Sequence, residues 1–130
     1  KIVNLQCNFI NTMMKRILIA EDTDSNYLLL SIVLRKEYET IRALNGLEAI
    51  EMCRTHNPDL ILMDFKMPVM DGLEATCKIR EFNSEIPIIA LTANAYDSDR
   101  EHAYEAGCNE YMSKPIDAMA LRLLLKKYLG

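Results

Sequence analysis

The chain has 130 residues, enough for one ordinary domain and too few for two with cores of their own. Half of the residues are hydrophobic and 26% are charged, which excludes wholesale disorder, and a net charge of −4 argues against a nucleic-acid-binding surface. The longest nearly apolar run, Tyr27 to Leu34, falls far short of the roughly 20 residues a membrane span needs.

Residues 1–14 (KIVNLQCNFINTMM) begin with Lys and show no clean hydrophobic period. They read as a linker, a leader or a short extra helix, with the domain proper at 15–130. No secretory signal is recognisable in them, and the four cysteines (Cys7, Cys53, Cys77, Cys108) lack metal-site spacing. Reduced thiols and a cytoplasmic location are expected.

From Arg16 onward short apolar runs alternate with helix-length segments. Arg16–Ala20, Leu60–Met63 and Ile86–Leu91 are continuous apolar strands, as expected of strands buried on both faces. Glu39–Ala43 and Glu110–Met112 are mixed in polarity and read as edges. Helices are predicted over Ser25–Lys36, Leu47–Thr55, Leu73–Phe82, Asp97–Ala106 and Asp117–Leu129. Five strands alternating with five helices predict an α/β, flavodoxin-like, doubly wound parallel sheet. Right-handed crossovers make 2-1-3-4-5 the simplest strand order. In such a sheet, ligand chemistry gathers beyond the carboxyl ends of the strands where the winding reverses.

Polar residues stand at those ends. Glu21 and Asp22 follow the first strand, Asp64 the third, Thr92 the fourth, and Ser113, Lys114 and Pro115 the fifth. Three carboxylates converging on one crevice repel one another; two of them about 5 Å apart cost roughly 3 kcal/mol at an effective dielectric near 20. Lys114 offsets part of this and a hard divalent cation offsets more. With no His or Cys beside them, oxygen ligands favour Mg²⁺ over zinc, and Mn²⁺ can substitute. A single strand-end Asp is more often a turn or helix-capping residue, but four strand ends agree.

The segments ILIAEDTDSN, DLILMDFKMPVMDG, IIALTANA and EYMSKPI together resemble the response-regulator receiver domain of two-component signalling, from about Lys15 to Leu129. The resemblance implies that Asp64 is the phosphoacceptor for a phosphoryl group from a partner phosphohistidine. It implies that Asp22, Asp64 and the backbone carbonyl of Lys66 ligate Mg²⁺, with Glu21 acting through water. Lys114 then pairs with Asp64 and afterwards with a phosphoryl oxygen, Thr92 contacts another, and Thr92 and Tyr111 act as the switch pair. It also implies a cis Lys114–Pro115 peptide. Lys66 and Asn94 occupy positions that tune hydrolysis in the family. Thr23 departs from the Asn common in receivers fused to kinases, whereas the Glu-Asp pair followed by Asn26 leans toward that group.

The first helix is too apolar for a single buried stripe. Leu30, Val33 and Leu34 can face the sheet with Asn26, which leaves Tyr27, Leu28, Leu29 and Ile32 around much of the circumference. Asn26, Leu28, Leu29, Ile32 and Pro115 are therefore expected to form a docking surface for a helix of a histidine kinase or histidine phosphotransfer domain. Packing against residues 1–14 is the competing explanation. His56 and His102 are expected at the surface, and no Gly-rich ATP-binding loop is present. A monomer or a weak phosphorylation-dependent dimer is expected. The non-Met start suits a piece of a hybrid sensor histidine kinase. Two rivals fit less well: an aspartyl phosphohydrolase lacks its second Asp, since Lys66 stands there, and a flavodoxin-like electron carrier would not place acidic EDTD against a flavin phosphate.

Overall fold

The computed structural model describes residues 14–93 and 97–130. The expectation for residues 1–14 falls, all but Met14, outside the described residues, as does that for Asn94.

Strands β1 (Arg16–Ala20), β2 (Glu39–Ala43), β3 (Leu60–Asp64), β4 (Ile88–Thr92) and β5 (Glu110–Ser113) alternate with helices α1 (Asp24–Leu34), α2 (Gly46–His56), α3 (Gly72–Phe82), α4 (Asp97–Ala106) and α5 (Ala118–Leu129). The strands form one sheet in the order β2-β1-β3-β4-β5, parallel throughout. Every residue of β3 and β4 is buried, while β2 and β5 are mostly half-buried, so the apolar runs are central and the mixed ones are edges.

Side-chain alternation divides the core in two. Ile17, Ile19, Leu60, Leu62, Ile89 and Leu91 point to the face covered by Leu30 and Leu34 of α1 and Leu121 and Leu125 of α5. Leu18, Ala20, Ile61, Met63, Ile88 and Ala90 meet α2, α3 and α4 through Ala49, Ile50, Cys53, Ala75, Ile79 and Ala103. Each fully buried aliphatic side chain contributes about 2 kcal/mol of transfer free energy. Cys53 and Cys108 fill this second core as free thiols, and burial pushes Cys108 up to about 11, too high to be reactive. Cys77, the third free thiol among the described residues, is exposed, as are His56 and His102.

The boundaries differ from expectation in places with local causes. The fourth strand starts at Ile88 rather than Ile86 because the Asn83 side chain captures the amides of Glu85 and Ile86. Pro87 has no N–H, and its carbonyl accepts from Ile61 just ahead of the ladder. Helix α1 stops at Leu34, two residues short of Lys36, where the amides of Glu37 and Tyr38 fold back onto the Leu34 carbonyl and Tyr38 is buried. Asp64 and Thr92 are the last residues of their strands instead of following them, and β5 runs one residue past Met112 to Ser113. Asn45, Asp71 and Asp117 cap α2, α3 and α5 with side-chain oxygens. Gly107, at φ +113°, follows the end of α4 as expected.

Candidate functional site

Parallel register brings the ends of β1, β3, β4 and β5 to one edge of the sheet. Asp64 is opposite Leu91, and Thr92 opposite Ser113, so β4 and β5 end side by side one residue beyond the end of β3. Glu21 follows Ala20 directly, its amide hydrogen-bonded to the Ala43 carbonyl at 3.0 Å.

Carboxylate oxygens of Glu21, Asp22 and Asp64 lie within 4.8 Å of one another. Glu21 and Asp64 are buried and Asp22 is exposed. The Lys114 ammonium enters between the two buried acids, 2.9 Å from Glu21 Oε1 and 3.3 Å from Asp64 Oδ2. The resemblance pairs Lys114 with Asp64; here it is shared, and Glu21 holds it more closely. Lys114 is hooked to its neighbour strand by its own amide, which donates to the Thr92 carbonyl at 2.7 Å. The Lys114–Pro115 peptide is cis.

One cation against three acids leaves repulsion uncompensated. Burial, with the nearby charge of Glu21, raises the Asp64 carboxyl to about 6 against the opposing pull of Lys114. Burial disfavours the charge on Lys114, but its hydrogen bond to Glu21 and the charges of Asp64 and Glu21 outweigh this and hold its pKa above the ordinary value. An all-oxygen cluster of this charge fits a hard divalent cation such as Mg²⁺.

The remaining predicted residues divide into two groups. Near the cluster, the Lys66 amide donates to Asp64 Oδ1 at 3.3 Å while its side chain is exposed. Thr92 is buried at the end of β4. Tyr111 lies on β5 opposite Ala90, half-buried against the core beneath α2, α3 and α4. On the outer face, Leu28, Leu29 and Ile32 are 57%, 58% and 47% exposed, Asn26 is half-buried and Pro115 is exposed. A cavity of about 150 Å³ opens between α1 and α5, lined by Leu29, Val33, Pro115 and Leu121, with Glu21 and Lys114 at its polar end.

Two contributors have no signal in the sequence. Gly72, just ahead of the predicted third helix, lies so close to the end of β3 that a Cβ there would sit 2.1 Å from the Asp64 carbonyl oxygen. Arg42, on the edge strand, reaches across to the Glu21 carbonyl at 3.0 Å. The first contact depends on how the loop after β3 folds back, and the second joins the ends of two neighbouring strands.

Among the described residues no helix is long and apolar enough to cross a membrane. The family model for the response regulator receiver domain matches residues 17–126. The polar-differentiation response regulator DivK of Brucella anthropi is 42% identical over 121 residues, covering 91% of this chain and 98% of the relative. The receiver domain of the sensor histidine kinase PA1611 of Pseudomonas aeruginosa, solved with a magnesium ion coordinated in the active-site cleft, superposes with a TM-score of 0.84. It is 37% identical, over 90% of this chain and 98% of that one. A co-crystal structure of the Saccharomyces cerevisiae histidine phosphotransfer protein Ypd1 with the receiver domain of Ssk1 matches with a TM-score of 0.83 and 32% identity, over 88% of each chain. The chain belongs to the response regulator receiver domain family, and its function is that of a receiver in two-component signalling rather than of a metabolic enzyme.

Proposed function

We propose that Asp64 is the phosphoacceptor and that the domain catalyses its own phosphorylation and dephosphorylation. The observation that carries this reading is the meeting of the Glu21, Asp22 and Asp64 carboxylates within 4.8 Å of one another, with Lys114 bridging two of them. A carboxylate oxygen of Asp64 attacks the phosphorus of a phosphohistidine, and the bond from phosphorus to the imidazole nitrogen breaks as the histidine departs. Lys114 turns its ammonium to a phosphoryl oxygen, and the Thr92 hydroxyl donates to another. Thr92 and Tyr111 carry the resulting change outward through β4 and β5, and Lys66 and Asn94 set how long the phosphoryl group lasts.

Asp22, Asp64 and the Lys66 carbonyl would hold Mg²⁺, or Mn²⁺ in its place, with Glu21 reaching it through water. When bound, the ion supplies positive charge that offsets the repulsion between Asp64 and the incoming phosphoryl group.

The donor is a histidine kinase or a histidine phosphotransfer domain. The exposed Leu28, Leu29 and Ile32, with Asn26 and Pro115 around the cavity that leads to Lys114, offer an apolar seat for a donor helix. Residues 15–130 form the receiver unit, in a cytoplasmic protein or the cytoplasmic part of a hybrid sensor kinase, acting as a monomer or a weak phosphorylation-dependent dimer.

Intact-mass analysis after incubation with Mg²⁺ and acetyl phosphate tests the chemistry. One added phosphoryl group, absent in Asp64→Asn and without Mg²⁺, is expected. An adduct that persists in Asp64→Asn overturns the assignment.

A further inference from the structure

The turn that carries Asp22 is gripped from an unexpected side. Asp22 is exposed, so the backbone of its flanking residues sets where its carboxylate points. Arg42, near the end of β2, holds both flanks. Its Nε donates to the Glu21 carbonyl at 3.0 Å, and its Nη1 pairs with Asp24 Oδ1 at 2.8 Å. The guanidinium lies 4.6 Å from the centre of the Tyr27 ring on α1, which packs it from a further side. Its remaining nitrogen, Nη2, is buried with no hydrogen-bond partner among the described residues. The guanidinium is thus fixed in place even though one donor goes unused. The next residue, Ala43, takes the Glu21 amide, so the end of β2 grips both sides of Glu21.

We propose that Arg42 is a positioning residue for the metal-binding turn, holding Glu21 and Asp24 so that Asp22 is aimed at Asp64. This rests on the reading of Asp22 and Asp64 as metal ligands. A lysine at this position keeps the charge but not the fork, because a single ammonium does not reproduce the planar two-nitrogen grip on a carbonyl and a carboxylate. Charge and position also predict opposite signs. A cation beside an acidic cluster repels a divalent ion, so if charge alone matters, removing Arg42 tightens Mg²⁺ binding. If position matters, removing it weakens binding despite the lost repulsion.

The test is isothermal titration of the full chain with Mg²⁺ alone, in the wild type, Arg42→Lys, Arg42→Gln and Asp22→Asn. Circular dichroism checks each fold, and amide exchange follows residues 21–24. Both Arg42 variants are expected to bind Mg²⁺ about tenfold more weakly, the scale of lost outer-shell support, with faster exchange confined to the turn. Unchanged or tighter binding in folded Arg42→Lys overturns the proposal, and that variant decides the matter if Arg42→Gln does not fold. Asp22→Asn separates the two levels. Binding lost there but intact in the Arg42 variants overturns the role of Arg42 alone, whereas binding unchanged in Asp22→Asn overturns the metal-ligand reading beneath it.

Discussion

The Lys114 ammonium is held 2.9 Å from Oε1 of Glu21, at the most deeply buried carboxylate of the site. Asp64, at 3.3 Å, has the weaker share of that cation, and its carboxyl sits at about 6. The lysine therefore serves Glu21 first, and Asp64, the proposed phosphoacceptor, carries poorly compensated charge. That charge is what an incoming cation relieves.

Stability should record this. The folded carboxyl of Asp64 titrates at about 6 against 3.8 for the free group, so the folded state holds a proton over a window where the unfolded chain has released it. Above about pH 6 the ionised Asp64 costs the fold about 3 kcal/mol, and below about pH 4 it costs nothing. Asp64→Asn is expected to exceed the wild type in urea-unfolding stability by about 3 kcal/mol at pH 7, with the gap closing as pH falls toward 4. A gap that is absent at pH 7, or that widens in acid, contradicts the account.

Removing the cation should do the reverse. Lys114→Met leaves Glu21 and Asp64 buried together without a positive neighbour, a loss expected at about 2 kcal/mol once the partial exposure of the lysine is allowed for. A double-mutant cycle locates the pairing. Because Glu21 is the nearer partner, Lys114 should couple more strongly to Glu21→Gln than to Asp64→Asn. Equal couplings would mean that the ammonium is shared evenly in solution.

Much of this architecture was legible in the chain. Buried strands lose their alternation and edge strands keep it, so the runs at Arg16, Leu60 and Ile86 announced the sheet and its order, and the order announced which residues share one end. Local chemistry that departs from the period was harder to read. Asn83, by holding the amides of Glu85 and Ile86, delays the start of β4, and nothing in hydrophobicity marks that. The sharing of Lys114 between two acids and the reach of Arg42 depend on side-chain packing across strands. The roles of Gly72 and Val69 depend on backbone approach and dihedral angle.

Gly72 tolerates no side chain because of where β3 ends. A Cβ would lie 2.1 Å from the Asp64 carbonyl oxygen and 2.9 Å from its carbonyl carbon, and backbone atoms cannot rotate away. Gly72→Ala therefore has to push the end of β3 itself. The expected cost is about 3 kcal/mol, at the upper end for overpacking, together with slower phosphoryl uptake from acetyl phosphate because Asp64 moves with its backbone. Thermal unfolding and the rate of mass gain check both effects, and a variant normal in both would show that α3 can slide without disturbing Asp64.

Val69 is the strained point of the loop between Asp64 and α3. Its φ is +69°, and the Met70 amide closes on the Pro68 carbonyl at 2.7 Å, a three-residue turn that suits a residue without a Cβ. The side chain is 76% exposed, so burial does little to offset the strain. Val69→Gly relieves about 1–2 kcal/mol of left-handed strain and gives back part of it through the greater freedom of glycine in the unfolded chain. A net gain of about 1 kcal/mol, seen as a rise of about 3 °C in Tm, is expected for a domain of this size. A fall in Tm would mean that the isopropyl group packs well enough against its neighbours to outweigh the strain, and that the loop owes its shape to the side chain rather than tolerating it.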